Sequence, residues 1–256
     1  MLLTIVIASY NRKEVLRQLL DGLKQQTDPV FEVVVAVDGS TDGTQAMLTE
    51  CAKSSSFPLR WVDTGLTSEY ALAVARNMGI RAAQGEAVVI LDDDSFPVPE
   101  FVAEHKKSVR RNTLTGGSRE SIDPSDTELK DKMRAYLETY GDCQPQKFKP
   151  VPKYKYVVEN NTCMFKEDWL RSGLFNESIR EYGRIGQEFN HELIKRGFLY
   201  QFNPRAKIIH HTEFKQNQLY KRATSTRMNR AKQLLRKRLP ALYRFLQTVK
   251  NKVEYR

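Results

Sequence analysis

Three carboxylates stand in a row at Asp92-Asp93-Asp94, directly after the apolar run Ala87–Leu91. Adjacent like charges on a buried or half-buried loop repel one another, so they call for a cation or strong donors close by. On an extended chain Asp92 and Asp94 face the same side. That spacing suits a hard divalent ion, Mg²⁺ or Mn²⁺, which keeps waters and accepts phosphate oxygens. A plainer use would be to cap a helix starting near Pro97, but one acid is enough for a cap. A second polar set, Asp38-Gly39-Ser40-Thr41-Asp42-Gly43, follows the run Phe31–Val37, and a third, Ser9-Tyr10-Asn11-Arg12, follows Leu2–Ala8. Asp38 could accept from a nucleobase or ribose with Tyr10 as the stacking face, or simply make a strand-to-helix turn. Neither a Gly-x-Gly-x-x-Gly fingerprint nor a Gly-Lys-Ser/Thr phosphate loop occurs. That counts against dinucleotide oxidoreductases and P-loop enzymes.

The elements that must position these residues alternate along the first half. Leu2–Ala8, Phe31–Val37, Leu59–Val62 and Ala87–Leu91 are short apolar, β-branched runs, as expected of strands buried on both faces. Between them lie helical patterns. One runs from Asn11, as N-cap, to about Gln26; one opens at Thr41-Asp42; one spans Glu69–Ala83 and stops at Gly85. Strands separated by helices require crossovers, hence a parallel, doubly wound sheet whose ligands sit beyond the carboxyl ends of the strands. The second half predicts a helix over Pro97–Arg111, a strand over Asn112–Ser118, a helix over Asp126–Tyr140 and a surface loop over Gln144–Tyr156. There follow a strand over Val157–Phe165, a helix over Gln187–Arg196 stopped by Gly197, and strands over Phe198–Phe202 and Ala206–His211. Adjacent residues on a strand face opposite ways, so only one of His210 and His211 can reach a metal. Trp169 and Phe175 are expected in the core.

The chain has 256 residues and a formal charge of +10. Thirteen Lys or Arg and one acid, Glu254, fall between Lys215 and Arg256, so the remainder is slightly acidic. This predicts a globular body, 1–214, and a basic amphipathic helical tail, 215–256. No apolar run approaches the roughly 18 residues of a membrane span, and no basic leader precedes the first apolar run. Cys51, Cys143 and Cys163 are too few for a disulfide framework, which favours a cytoplasmic setting.

Taken in order, several segments resemble the motifs of family 2 glycosyltransferases, inverting enzymes of the GT-A fold. They are Ala8-Ser9-Tyr10-Asn11-Arg12, the stretch VVVAVDGSTDGT ending at Thr44, Ala75-Arg76-Asn77-Met78-Gly79-Ile80 and Leu91-Asp92-Asp93-Asp94. The likeness continues through Asn161-Thr162-Cys163-Met164-Phe165, Gly173-Leu174-Phe175-Asn176-Glu177, Gly186-Gln187-Glu188 and Asn203-Pro204-Arg205-Ala206 to His210-His211, covering about residues 2–211. It implies an α/β, Rossmann-like, mostly parallel central sheet flanked by helices. Residues 1–118 would form the nucleotide-sugar half and 119–214 the acceptor half. It also implies roles. Ala8, Tyr10 and Asp38 would line the nucleoside pocket, and Arg76, Asp92 and Asp93 would meet the donor. Asp92, Asp94 and His210 (or its neighbour His211) would hold Mn²⁺ or Mg²⁺, and Glu188 would be the catalytic base; Asn161 either touches the acceptor or holds loop backbone. The chain departs from the family pattern at Val37-Asp38, where a double acid is frequent, and at Glu188-Phe189, where Glu-Asp is common.

The expected activity is metal-dependent transfer from a nucleotide sugar, UDP-linked, to a hydroxyl of a saccharide or lipid-linked saccharide in surface polysaccharide synthesis. The Leu- and Phe-bearing basic tail would lie on anionic lipid at the inner membrane face. Nucleic acid is not expected as a partner, because no aromatic platform accompanies the charge. Two other readings are a nucleotidyltransferase, whose Gly-rich basic N-terminal loop is missing, and a non-catalytic module docking on lipid or RNA.

Overall fold

The computed structural model describes residues 1–141, 143–151, 160–180 and 184–211. The expected tail, and the parts of the expected loop and strand between 152 and 159, lie outside the described residues. Four strands, β1 (Leu3–Ser9), β2 (Phe31–Val37), β3 (Leu59–Asp63) and β4 (Ala87–Asp92), pair in parallel in the order β3-β2-β1-β4. Between them run the helices α1 (Lys13–Leu23), α2 (Thr44–Ser54) and α3 (Leu72–Ala82). Every residue of β1 and β2 is buried, because helices cover both faces. Alternation sorts the side chains: Leu3, Ile5 and Ile7 pack with Leu16, Leu19 and Val35, whereas Val6 packs with Val34, Ala75 and Ile80 on the opposite face. A Cβ on Gly79 would come within 2.4 Å of Val6 Cγ1, so that glycine lets α3 lie close on β1.

Past β4 the chain departs from the expected regularity. A turn at Asp93-Asp94 leads into β5 (Ser95–Pro97), and α4 covers only Phe101–Ser108, so the helix predicted from Pro97 begins later. β6 (Thr113–Ser121), α5 (Thr127–Tyr140), β7 (Thr162–Phe165), α6 (Lys166–Arg171), α7 (Ile185–Lys195) and β8 (Leu199–His210) complete one eight-stranded sheet, ordered β3-β2-β1-β4-β7-β6-β8-β5. β7 is antiparallel to both neighbours, which makes the sheet mixed beyond β4. The boundary expected at 118/119 falls inside β6, beside the register shift between Gly117 and Ser118.

The two strands expected over 198–211 are a single strand, β8. Gly117 pairs with Asn203 and Ser118 with Lys207, so residues 204–206 bulge out around Pro204 while the ladder resumes on both sides. Asn161, itself at φ 60°, plugs that bulge. Its Nδ2 donates to Ser118 O and Ala206 O, each at 2.9 Å, and its Oδ1 lies 2.8 Å from His105 Nε2. With the amide nitrogen spent on two carbonyls, Oδ1 must accept, so Nε2 carries the imidazole proton.

Burial lowers His105 to about 4, against the opposing hydrogen bond to Asn161 and the charge of Glu104. The folded protein therefore keeps His105 neutral where the unfolded chain binds a proton. Stability is expected to fall as pH drops from 6.5 to about 4, by about 3 kcal/mol across that window. Urea midpoints at pH 7 and pH 4.5 measure this, and His105→Gln should show a visibly smaller pH difference; an equal difference would refute the assignment.

Among the described residues no helix is long and apolar enough to cross a membrane. Cys51, Cys143 and Cys163 are free thiols.

Candidate active site

The strand register brings the polar sets together. Ser9 lies opposite Val37, Val37 opposite Asp63, and Ala8 opposite Asp92, so β1, β2, β3 and β4 end at one level. Their carboxyl ends open on the crevice where an open parallel sheet binds ligand.

The three acids are not splayed along an extended strand as expected; the turn at 93–94 deals each to a different partner. Asp92, 35% exposed at its side chain, accepts from Arg76 Nη2 at 2.7 Å, and its N–H donates to Asn160 Oδ1 at 3.0 Å. Asp93, expected at the donor, turns inward. It accepts from Ser9 Oγ at 2.7 Å and Arg12 Nη1 at 2.8 Å and is almost completely buried. Asp94 accepts from the same Arg12 Nη1 through Oδ2 at 3.0 Å, while its Oδ1 stands 3.5 Å from His210 Nε2. No helix is capped by these acids, since α4 starts at Phe101 with Glu100 before it.

Three carboxylates thus meet two guanidiniums. For Asp93, burial raises the carboxyl against the pull of Arg12, with its neighbour Asp94 adding to the rise. For Asp94, burial also pushes upward, but the hydrogen bond to His210 and the charges of His210 and Arg12 outweigh it. Asp94 therefore stays ionised.

This donor set fits a hard divalent cation in one form. Asp94 Oδ1 and His210 Nε2 converge from the β4–β5 turn and the end of β8, both only slightly exposed. Among the described residues no third His, Cys, Asp or Glu joins them in a ligand cluster. Mg²⁺ and Mn²⁺ sites commonly take one or two protein ligands and fill the rest with waters and substrate phosphates. His211, the alternative, donates its N–H to Asp94 O at 3.0 Å and lays its ring 4.4 Å from that of Phe96.

The nucleoside side is built at the ends of β1 and β2. Ala8 is buried between Ala36 and Asp92, and Tyr10 is half-buried just beyond it. Asp38 is buried and accepts from the N–H of Ala71, ahead of α3, at 3.2 Å. It therefore organises the segment entering α3 as well as edging the crevice. Gly39 has φ 65°, and a Cβ there would sit 2.3 Å from Leu66 O, so only glycine fits where the two loops touch. Asn11, expected as the N-cap of α1, instead takes φ 48° and ties the first two loops together. Its N–H donates to Ser40 Oγ at 2.9 Å, and its Oδ1 accepts from Thr41 N at 2.7 Å. Likewise α2 opens at Thr44 rather than Thr41, with the Asp42 carboxylate accepting from Thr44 N and from Lys13 N.

Glu188 lies on a different element from the acidic turn, in the first turn of α7, where Oε1 accepts from Asn176 Nδ2 at 2.9 Å. Phe189, the departure from the Glu-Asp pattern, is a core residue stacked 5.3 Å from Trp169 and 4.6 Å from Phe175. The aromatic cluster that seats α7 explains its presence. Asn161, expected at the acceptor, is fully buried with its amide committed to the bulge, so the structure gives it a scaffold role. Sequence reasoning assigned no role to Arg12, Asn160 or Asn77. For Arg12 a signal existed, since three neighbouring acids need donors and it ends the first polar set.

Comparison with known proteins fits this geometry. The family model described as Glycosyl transferase family 2 matches residues 4–172. An uncharacterized glycosyltransferase, YfnE, of Bacillus subtilis (strain 168) is 26% identical over 81% of this chain and 64% of its own length. A chondroitin synthase of Escherichia coli is 27% identical over 94% of this chain and 39% of its own. The chain thus spans less than two thirds of either relative. Among solved structures, the mannosyltransferase PcManGT from Pyrobaculum calidifontis, in complex with GDP-Man and Mn²⁺, superposes with a TM-score of 0.63 at 21% identity. The match covers 91% of this chain and 61% of that one. With its eight-stranded sheet carrying the GT-A arrangement and most of that sheet inside the matched span, the chain belongs to glycosyl transferase family 2.

Proposed function

We propose that this protein transfers a sugar, with inversion, from a nucleotide-sugar donor to a hydroxyl of a saccharide acceptor, using a divalent cation. The observation that carries this reading is the convergence of Asp92, Asp94, His210, Arg12 and Arg76 beyond one end of the parallel strands, with Glu188 on a separate helix. The donor's base and ribose would lie along Tyr10, Ala8 and Asp38, with its diphosphate toward Asp94. Asp94 and His210 would hold Mn²⁺ or Mg²⁺, which when bound stabilises negative charge on the departing diphosphate. Arg76 pins Asp92 at the rim. Arg12 keeps Asp94 fixed by one oxygen while the other stays turned to His210. A single in-line displacement requires that the acceptor hydroxyl lose its proton on the face opposite the leaving group, and Glu188 would take it.

A thermal-shift screen of UDP- and GDP-linked sugars, each with and without Mn²⁺, tests the donor side. A cognate donor at about 100 times its Kd stabilises the fold by about 2.7 kcal/mol, or about 5–10 °C for a chain of this size. UDP-linked sugars with Mn²⁺ are expected to give that shift, and Asp94→Asn should lose its Mn²⁺-dependent part. A shift from no sugar nucleotide, or one indifferent to Mn²⁺ in the unsubstituted protein, would reject the reading.

A further inference from the structure

The loop Gly173–Arg180, which precedes α7, is fastened to α3 by one residue. Asn77 accepts from Phe175 N through Oδ1 at 3.0 Å and donates through Nδ2 to Phe175 O at 2.8 Å, reading both backbone polar groups of that residue. The same Nδ2 reaches Glu177 Oε1 at 2.8 Å, which also accepts from Arg81 at 3.1 Å. The preceding residue, Arg76, clamps Asp92 and lays its guanidinium 5.5 Å from the Phe175 ring centroid. Two consecutive residues of α3 therefore brace the acidic turn on one side and the Phe175 loop on the other.

Asn176 is an exposed residue of that loop. Its Oδ1 accepts from Ser178 N at 3.0 Å and from Ser178 Oγ at 2.7 Å. The Ser178 N–H can bond only an oxygen, so the amide orientation follows from it, and the NH₂ faces Glu188 Oε1 at 2.9 Å. α7 cannot rotate away, because Phe189 on the next position is buried against Trp169 and Phe175.

We propose that Asn176 is the positioning residue of the catalytic base. It engages one carboxylate oxygen of Glu188 and aims the other at the acceptor, while the Arg76–Asn77 brace sets the distance from Glu188 to Asp92. The inference rests on Glu188 being the base and adds what holds it. Hydrogen bonds to a charged group are among the stronger ones, and removing one that orients a base costs tenfold or more in rate.

The isosteric exchange Asn176→Asp separates orientation from loop structure. It keeps the oxygen that Ser178 binds and the shape of the turn, and sets a carboxylate oxygen against Glu188 where the NH₂ had donated, a like-charge contact that Asn176→Ala lacks. Asn176→Ala removes both the oxygen and the NH₂. Turnover is followed as nucleotide release with water as acceptor. The donor is whichever of UDP-GlcNAc, UDP-glucose, UDP-glucuronate and GDP-mannose turns over fastest with Mn²⁺. Both variants are expected to lose at least about tenfold in kcat, with donor KM within about twofold of the unsubstituted protein. Asn176→Asp should also keep its melting temperature. If Asn176→Asp retains full kcat, or if donor KM rises in step with the loss, Asn176 only builds the loop or the donor site and the proposal falls. Glu188→Gln run alongside distinguishes the two levels. An inactive Glu188→Gln beside an active Asn176→Asp removes the positioning role alone, whereas an active Glu188→Gln removes the base.

Discussion

Exchange of Arg12 for methionine is expected to lower the melting temperature by about 10 °C, a larger loss than any surface change would give. Arg12 Nη1 is within 2.8 Å of Asp93 and 3.0 Å of Asp94, and all three side chains are less than a tenth exposed. Removing one partner of a buried ion pair leaves charge without compensation and typically costs about 3–5 kcal/mol. Methionine nearly matches the volume, so packing contributes little to the difference. Calorimetry of Arg12→Met, with Arg12→Met/Asp93→Asn beside it, isolates the cause. The double variant deletes the carboxylate that Arg12 and Ser9 hold and should regain much of the lost stability. A single variant melting within about 2 °C of the original would mean that the guanidinium is not the counter-charge of the acidic turn.

The second large effect concerns rate. Glu188→Gln keeps the size of the side chain and its bond from Asn176 but removes the proton acceptor. General-base contributions run about 10²–10⁴-fold, so kcat is expected to fall about a thousandfold. Among the described residues no hydrogen bond or ion pair links Glu188 to the acidic turn, so calorimetric binding of the nucleotide sugar with Mn²⁺ should change by less than about twofold. Weakened donor binding in parallel with kcat would show that Glu188 belongs to the donor site instead.

The acidic turn illustrates how far a sequence argument reaches. Crowded carboxylates predict a nearby cation, and the structure supplies two that are covalently part of the chain, Arg12 and Arg76. Most of the expected need for a cation is met from within the chain. Asp94 Oδ1 beside His210 Nε2 is the pair proposed to meet a metal ion. Asn161 shows the reverse case, where ligand contact and backbone support were both open. A polar residue beside a strand end looks available to ligand, yet a bulge two strands away claims its amide. That bulge exists because Pro204 cannot donate to the ladder, and nothing near Asn161 in sequence announces it.

The sequence by itself determined β1 to β4, their crossover helices and the level at which their polar ends lie. Hydrophobic period and turn chemistry are properties of neighbouring residues, and parallel strands joined by helices must end on a common side. Only the tertiary structure decided which acid turns inward, that the His210 ring faces the Asp94 carboxylate while His211 bonds its backbone, that β7 runs antiparallel, and that Phe189 belongs to the core. Those outcomes depend on partners such as Ser9 and Asp93, 84 residues apart, or Asn77 and Phe175, 98 apart. Each carboxylate or amide had several chemically equivalent partners along the chain, and only packing brings one of them within 3 Å.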